Sequence, residues 1–148
     1  MSTLIVGIGN TLRGDDGVGP FVIDLLRAAR SPLELKTALS VLPELAGELP
    51  GHQMVVFVDA DRRVREVRLS LLGEDERDGL HRFAMARVVQ IARALGFTGE
   101  AWICRVPAAS MEAGERLSRE AVLGAGRAAA VLLREQWCTS GGESRRAP

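Results

Sequence analysis

Short apolar runs alternate along the chain with segments in which apolar residues recur at helical spacing. Residues 4–8 and 53–59 are nearly continuous apolar runs. The second run is the strongest strand prediction, because a run this apolar suits a strand that is covered on both faces. Residues 18–30 and 80–95 carry apolar stripes with charged residues between them, which predicts two amphipathic helices.

The remaining segments extend this alternation. The other predicted elements are strands at 33–42, 64–71 and 101–106, a short helix at 43–49 and a long helix at 117–135. Strands that alternate with helices predict an α/β fold, here a single three-layer domain. Its mainly parallel, twisted sheet of about five strands is expected to carry helices on both faces. The domain is placed at residues 1–136, and the polar residues 137–148 are expected to form a disordered tail.

Composition narrows the classes of function. The 148 residues are the length of one domain, and 47% hydrophobic with 26% charged residues is typical of a soluble protein. The formal net charge is zero, so neither nucleic acid nor an anionic membrane is expected as a partner. The first residues carry no basic region and no cleavage site, and no apolar run is long enough to span a bilayer, so a cytoplasmic location is expected. Cys104 and Cys138 form no CxxC pair and are expected to be free thiols in a reducing compartment.

Aspartates follow two of the predicted strands. In open α/β sheets, ligands bind beyond the carboxyl ends of the strands. If the first and third strands are parallel neighbours, four aspartates should open onto one crevice: Asp15, Asp16, Asp59 and Asp61. The sequence leaves a second interpretation open for Asp15 and Asp16, because acidic residues at a helix N-terminus also complement the helix dipole.

A histidine is the next candidate for metal chemistry. His81 lies in the first turn of the helix predicted at 80–95, where the helix dipole disfavours a protonated imidazole and so favours the metal-binding form. The alternative is a histidine that is solvated or packed beside Met85. His52 has no acidic neighbour in the sequence and is expected to have no role. Two carboxylates and one imidazole form an oxygen and nitrogen ligand set that falls short of a closed structural zinc site.

Other chemistries find little support in the motifs. No serine lies in a Gly-x-Ser-x-Gly turn, no cysteine lies beside a histidine, and no His-Glu-x-x-His helix is found. A self-contained serine, cysteine or zinc protease is therefore not expected. A nucleotide-binding α/β enzyme is a weaker alternative, because Leu12 replaces the third glycine of Gly-x-Gly-x-x-Gly and the adjacent aspartates would repel a phosphate.

Residues 7–19, Gly-Ile-Gly-Asn-Thr-Leu-Arg-Gly-Asp-Asp-Gly-Val-Gly, resemble the N-terminal signature of the hydrogenase maturation proteases. The resemblance continues with Val58-Asp59-Ala60 at the end of an apolar strand and with His81 at the start of a helix, and it covers residues 4–135. It implies an endopeptidase that removes the C-terminal extension of a nickel–iron hydrogenase large-subunit precursor after nickel insertion.

The resemblance also implies which residues act. Asp16, Asp59 and His81 are expected to be the catalytic and metal-binding set. The nickel is expected to arrive on the substrate precursor, with no organic cofactor, and the simplest expectation for the enzyme is a monomer. A non-catalytic paralogue that binds a metal or the precursor remains the alternative. Pro107-Ala108-Ala109 departs from the Pro-Glu-Ser of many members, which removes one carboxylate from the rim of the sheet.

Overall fold

The computed structural model describes residues 2–73, 80–114 and 116–134, without the side chains of residues 80–82. Within this part the chain forms five strands, three α-helices and two 3-10 segments at Gly14–Gly17 and Pro43–Glu48. The strands are β1 (Thr3–Ile8), β2 (Glu34–Ala38), β3 (Met54–Asp61), β4 (Arg68–Leu71) and β5 (Glu100–Pro107). The helices are α1 (Val18–Ala28), α2 (Leu80–Ala94) and α3 (Arg119–Arg134).

The strands join in one sheet with the order β2-β1-β3-β5-β4. β1 pairs in parallel with β2 and β3, and β3 pairs in parallel with β5. β4 is the antiparallel edge strand beside β5. The predicted α/β fold with a mainly parallel sheet of five strands is therefore confirmed, and so is the edge position of the fourth strand.

Two apolar layers cover the two faces of the sheet. On one face, Ile5 and Val56 belong to a buried cluster with Val22 of α1 and Ala125 of α3. On the other face, Phe57 belongs to a second cluster with side chains of α2 and of the Pro43–Glu48 segment, among them Leu45, Met85 and Val88. Successive residues of β3 alternate between the two clusters, as the pleat of a strand requires. This confirms the prediction that the run in β3 is buried on both faces.

The ends of several elements differ from the sequence predictions. β3 continues to Asp61 because residues 59–61 pair with residues 105–107 of β5, so its aspartates lie within the strand. β4 begins only at Arg68, because its pairing with β5 extends no further than Arg105. The predicted short helix at 43–49 is a 3-10 helix. The predicted tail at 137–148, with Cys138, lies outside the described residues.

The direction in which the chain adds strands to the sheet reverses between β1 and β3. From β1 the chain crosses through α1 to β2 on one side, whereas β3 lies on the other side. Gly19 in the first turn of α1 packs against the ends of both strands, since a Cβ atom there would lie 2.4 Å from the carbonyl oxygen of Ile8 and 2.7 Å from that of Val58. Such a switch point is where open α/β sheets bind ligands. None of the described helices is long and apolar enough to cross a membrane.

Candidate active site at the switch point

The glycine-rich loop folds back on itself after β1. Gly9 has φ of +147°, and a Cβ atom at this position would lie 1.8 Å from the carbonyl oxygen of Asp16. Only glycine allows both this backbone conformation and this approach. The Gly14–Gly17 segment, which contains Asp16, also contacts β3. The loop therefore holds Asp16 over the junction of β1 and β3.

Asp16 is half-buried and is oriented by the loop itself. Its Oδ2 accepts a hydrogen bond of 2.8 Å from the backbone N–H of Asn10. The side chain of Asn10 in turn accepts the N–H of Leu12 at 2.9 Å, which fixes the intervening turn. Among the described residues, no hydrogen bond or ion pair reaches Oδ1 of Asp16. Among the described residues, the carboxylate is thus held by one of its two oxygens.

Asp59 is buried in β3, one residue beyond the contact with Gly19, and is 6% exposed. Its Oδ1 accepts the N–H of Ala60 at 3.0 Å, and in the sheet it lies in register with Arg105 of β5. Because side chains alternate along a strand, Asp59 is on the same face as Phe57, which is the face covered by α2. Asp59 therefore faces the same side of the sheet as α2, near the carboxyl end of β3.

Asp61 has a different local role. Its Oδ1 accepts the backbone N–H of Arg63 at 2.8 Å and lies 3.4 Å from Nε of the same residue. An aspartate that binds the backbone two residues ahead stabilises a turn. Asp61 thus stabilises the turn that follows β3. From the sequence it was expected to open onto the crevice with the other aspartates.

The other aspartate of the loop, Asp15, is 1% exposed and is bonded to a different part of the chain from Asp16. Its carboxylate accepts the N–H groups of Ala109 at 2.6 Å and Ser110 at 3.2 Å, the N–H of Ser118 at 2.6 Å and the Ser118 hydroxyl at 2.7 Å. Burial raises the pKa of Asp15, but the hydrogen bonds, led by those from Ser118, outweigh burial and hold the pKa below its usual value.

The prediction that Asp15 opens onto the same crevice as Asp16 is therefore wrong. The alternative interpretation placed the carboxylate at a helix N-terminus. Asp15 does lie at one, but the helix is α3 and not α1 as the sequence had indicated. Ser118 is the residue before α3, and its hydroxyl accepts the N–H of Ala121 at 3.1 Å. This role of Ser118 was not predicted, because the helix was expected to begin at residue 117, whereas α3 begins at Arg119 and leaves Ser118 at its N-terminus.

His81 is the second residue of α2. It precedes Met85 by four residues and Val88 by seven, so its position falls on the helix face that meets the sheet. Its side chain lies outside the described part of the structure. Among the side chains that are described, no group of three or more His, Cys, Asp or Glu residues is arranged to hold a metal ion. Asp16 and Asp59 both lie at the switch point, and the metal-binding role of Asp16, Asp59 and His81 stays a prediction.

Two other predictions from the sequence concern residues away from the switch point. Cys104 is a free thiol, as expected, and complete burial raises its pKa to about 12. His52 has no acidic neighbour in the sequence, but in the structure its Nε2 lies 2.6 Å from Oε2 of Glu34. Glu34 is adjacent only in space, because it begins the strand on the far side of β1.

Solved structures share this architecture over nearly the whole chain. The hydrogenase maturating endopeptidase HybD from E. coli superposes with a TM-score of 0.76 at 18% identity, covering 90% of each chain. The [NiFe] hydrogenase maturation protease HybD from Thermococcus kodakarensis gives 0.74 at 23% identity, covering 89% of this chain and 97% of that one. The chain has the fold of the hydrogenase maturation proteases.

The endopeptidase HycI from E. coli gives a further match, with a TM-score of 0.73 at 15% identity and 89% of each chain covered. No protein-family model and no curated protein matches the chain, so these likenesses are structural. The resemblance drawn from residues 7–19 to the hydrogenase maturation proteases is thereby confirmed at the level of the fold.

Proposed function

We propose that this chain is a hydrogenase maturation endopeptidase. In this proposal it removes the C-terminal extension of a nickel–iron hydrogenase large-subunit precursor after nickel has been inserted. The observation that carries the proposal is the pair Asp16 and Asp59 at the switch point of a fold shared with proteins named as such endopeptidases. The proposal includes a cytoplasmic setting, a monomeric enzyme and no organic cofactor.

Neither Ser118 beside the glycine-rich loop nor the only cysteine among the described residues is suited to act as a nucleophile. The hydroxyl of Ser118 donates to Asp15 and accepts the N–H of Ala121, so both of its functions are engaged. The Cys104 thiol is buried with a pKa of about 12, and the thiolate is the reactive form of cysteine. A water molecule is therefore the nucleophile of the proposed reaction.

The metal of the proposed reaction belongs to the substrate. The precursor presents nickel on its own cysteine thiolates, and the enzyme reads that nickel through Asp16, Asp59 and His81. The carboxylate of Asp16 and the imidazole of His81 are ligand types that suit divalent transition metals. Nickel held there positions the scissile region and polarises a peptide carbonyl or a water, while one of the two aspartates assists proton transfer.

The test compares cleavage of nickel-loaded and nickel-free precursor by the wild-type chain and by Asp16→Asn. We expect the wild type to cut only the loaded precursor and Asp16→Asn to cut neither. Glu34→Gln is the matched control, because it neutralises a carboxylate at the opposite end of the sheet and should retain cleavage. Equal cleavage of both precursors by the wild type would overturn nickel recognition. Binding of the loaded precursor without any cleavage would instead establish a non-catalytic paralogue.

A further inference from the structure

A second loop lies against the glycine-rich loop and is tied to it by backbone hydrogen bonds. The N–H of Gly14 donates to the carbonyl of Gly114 at 2.7 Å, and the N–H of Gly114 donates to the carbonyl of Leu12 at 2.8 Å. The N–H of Asp15 donates to the carbonyl of Ser110 at 2.8 Å. Backbone hydrogen bonds thus join the loop that carries Asp16 to the connection between β5 and α3. None of the predicted ligands Asp16, Asp59 and His81 lies in that connection.

The carboxylate of Asp15 lies at the centre of this junction. It accepts three backbone N–H groups and one hydroxyl, all from residues 109–118, at 2.6 to 3.2 Å. Every one of these partners donates, so only a group with acceptor sites alone satisfies them all. An ionised carboxylate is such a group, whereas the amide of asparagine presents an N–H₂ group to at least one donor.

Asp15 and Asp16 are consecutive residues of one 3-10 turn. The turn that precedes Asp16 closes through its own N–H, which donates to the carbonyl of Arg13 at 3.1 Å. Arg13 is itself bridged to Gly114. Any movement of Asp15 away from the second loop therefore moves the backbone that orients the carboxylate of Asp16 toward the N–H of Asn10.

We propose that Asp15 is a positioning residue, which fastens the glycine-rich loop to the start of α3 and thereby fixes the carboxylate of Asp16 in the orientation that receives the substrate's nickel. This role rests on the proposed function for its catalytic consequence. Asp15 is 1% exposed and its carboxylate is engaged by residues 109, 110 and 118, so in this role it acts through Asp16 and not on the metal or the peptide. Groups that orient a metal ligand from behind affect metal affinity or activity by about 10- to 100-fold when changed.

The experiment uses Asp15→Asn and Ser118→Ala, with Ser118→Thr as the conservative variant that keeps a hydroxyl. Leu132→Ala is the matched control for stability. It removes a fully buried side chain of α3 about 20 Å from Ser118 along the helix, so it destabilises the protein without touching the junction. Cleavage of nickel-loaded precursor is measured at a temperature at which each variant is fully folded by circular dichroism.

We expect Asp15→Asn to lower kcat by about 10- to 100-fold with KM little changed. Ser118→Ala should lower kcat less, and Ser118→Thr should restore it. A purely structural role moves none of these values once the protein is folded, so Leu132→Ala should have the kcat of the wild type. Equal kcat in Asp15→Asn and Leu132→Ala would overturn the proposal.

Hydrogen exchange supplies a reading that does not depend on activity. The N–H of Asn10 donates to Asp16, so its protection reports the orientation of that carboxylate. We expect Asp15→Asn to lose protection at Asn10, and Leu132→Ala to keep it relative to the global stability of each variant. If the wild type cleaves no precursor, the proposed function fails, and unchanged protection at Asn10 would separately overturn the positioning role. Should Asp15→Asn not fold, Ser118→Ala gives the same comparison.

Discussion

Acidic side chains at the two ends of the sheet are held in different ways. At the amino end of the parallel strands, Glu34 is paired with the His52 side chain. At the carboxyl end, Asp15 and Asp16 accept only backbone N–H groups and one hydroxyl. Among the described residues, neither of these two aspartates forms a salt bridge.

This difference separates two uses of negative charge. When a carboxylate is paired with a cationic side chain, the opposite charge cancels much of its electric field. At the surface such a pair also contributes little stability. A carboxylate held by N–H dipoles is fixed in place and remains an anion. At the carboxyl end, Asp15 and Asp16 therefore keep oriented carboxylates without a basic partner among the described residues, although Asp61 at the same end lies 3.4 Å from Nε of Arg63. At the amino end, Glu34 lies against the His52 side chain.

The largest effect that tests this comparison is expected at Asp16. Asp16→Asn keeps an oxygen that can accept the N–H of Asn10, so the fold should change little. If the proposed function holds, it removes the charge that would face the substrate's nickel, and we expect cleavage to fall about a thousandfold, equivalent to about 4 kcal/mol of transition-state stabilisation. Single-turnover cleavage measures the loss. Asp16→Asn that cleaves at the wild-type rate would show that this charge is not used.

The next effect concerns how tightly the carboxyl end is built. Gly19→Ala places a Cβ against the carbonyl oxygens of Ile8 and Val58, and we expect it to destabilise the fold by about 1–3 kcal/mol or more. Gly126→Ala is the matched control, because it is also in a helix and a Cβ there meets nothing within 4 Å. It should stabilise the protein by about 0.4–1 kcal/mol. Urea unfolding measures both, and similar values for the two variants would contradict the close packing at the switch point.

A comparable effect on stability is expected at Asp15. Asp15→Asn sets an amide N–H₂ against buried donors and should cost about 1–3 kcal/mol at neutral pH. Because folding lowers the pKa of Asp15, its ionised form stabilises the fold above its ordinary pKa of about 4, and this contribution is lost as the pH falls through the lowered value. The difference in unfolding free energy between wild type and Asp15→Asn should therefore shrink as the pH is lowered from 7 to 3. A constant difference would contradict this origin.

Much of the fold could be predicted because its signals are local. The apolar run in β3 and the stripe of α2 are each visible within about fifteen residues, and both elements occur where the pattern places them. The start of β4 could not be read in this way. Val67 continues the alternation of Leu69 and Leu71, but a strand also needs a partner, and in this segment only Arg68–Leu71 pairs with β5.

The candidate site was predictable to the same degree. Asp16 and Asp59 follow from the rule that ligands bind at the ends of strands, together with the resemblance over residues 7–19. The role of Asp15 was not predictable from its neighbours, because its hydrogen-bond donors are 94 to 103 residues away in the sequence. Two adjacent, identical side chains thus have different roles, and only tertiary structure distinguishes them.

The smallest effect is expected at the amino end, where Glu34 and His52 form their pair. The His52 side chain is 14% exposed and the Glu34 side chain 60%, so solvent screens the interaction and we expect about 0.2–1 kcal/mol. A double-mutant cycle with Glu34→Gln and His52→Gln measures this coupling, which should weaken further at high salt. None of the four proteins in the cycle should differ in cleavage. A coupling as large as the loss in Asp15→Asn would mean that the two ends of the sheet hold their carboxylates with similar strength. The distinction between a carboxylate paired with a basic side chain and one held by N–H groups would then depend on the result for Asp16 alone.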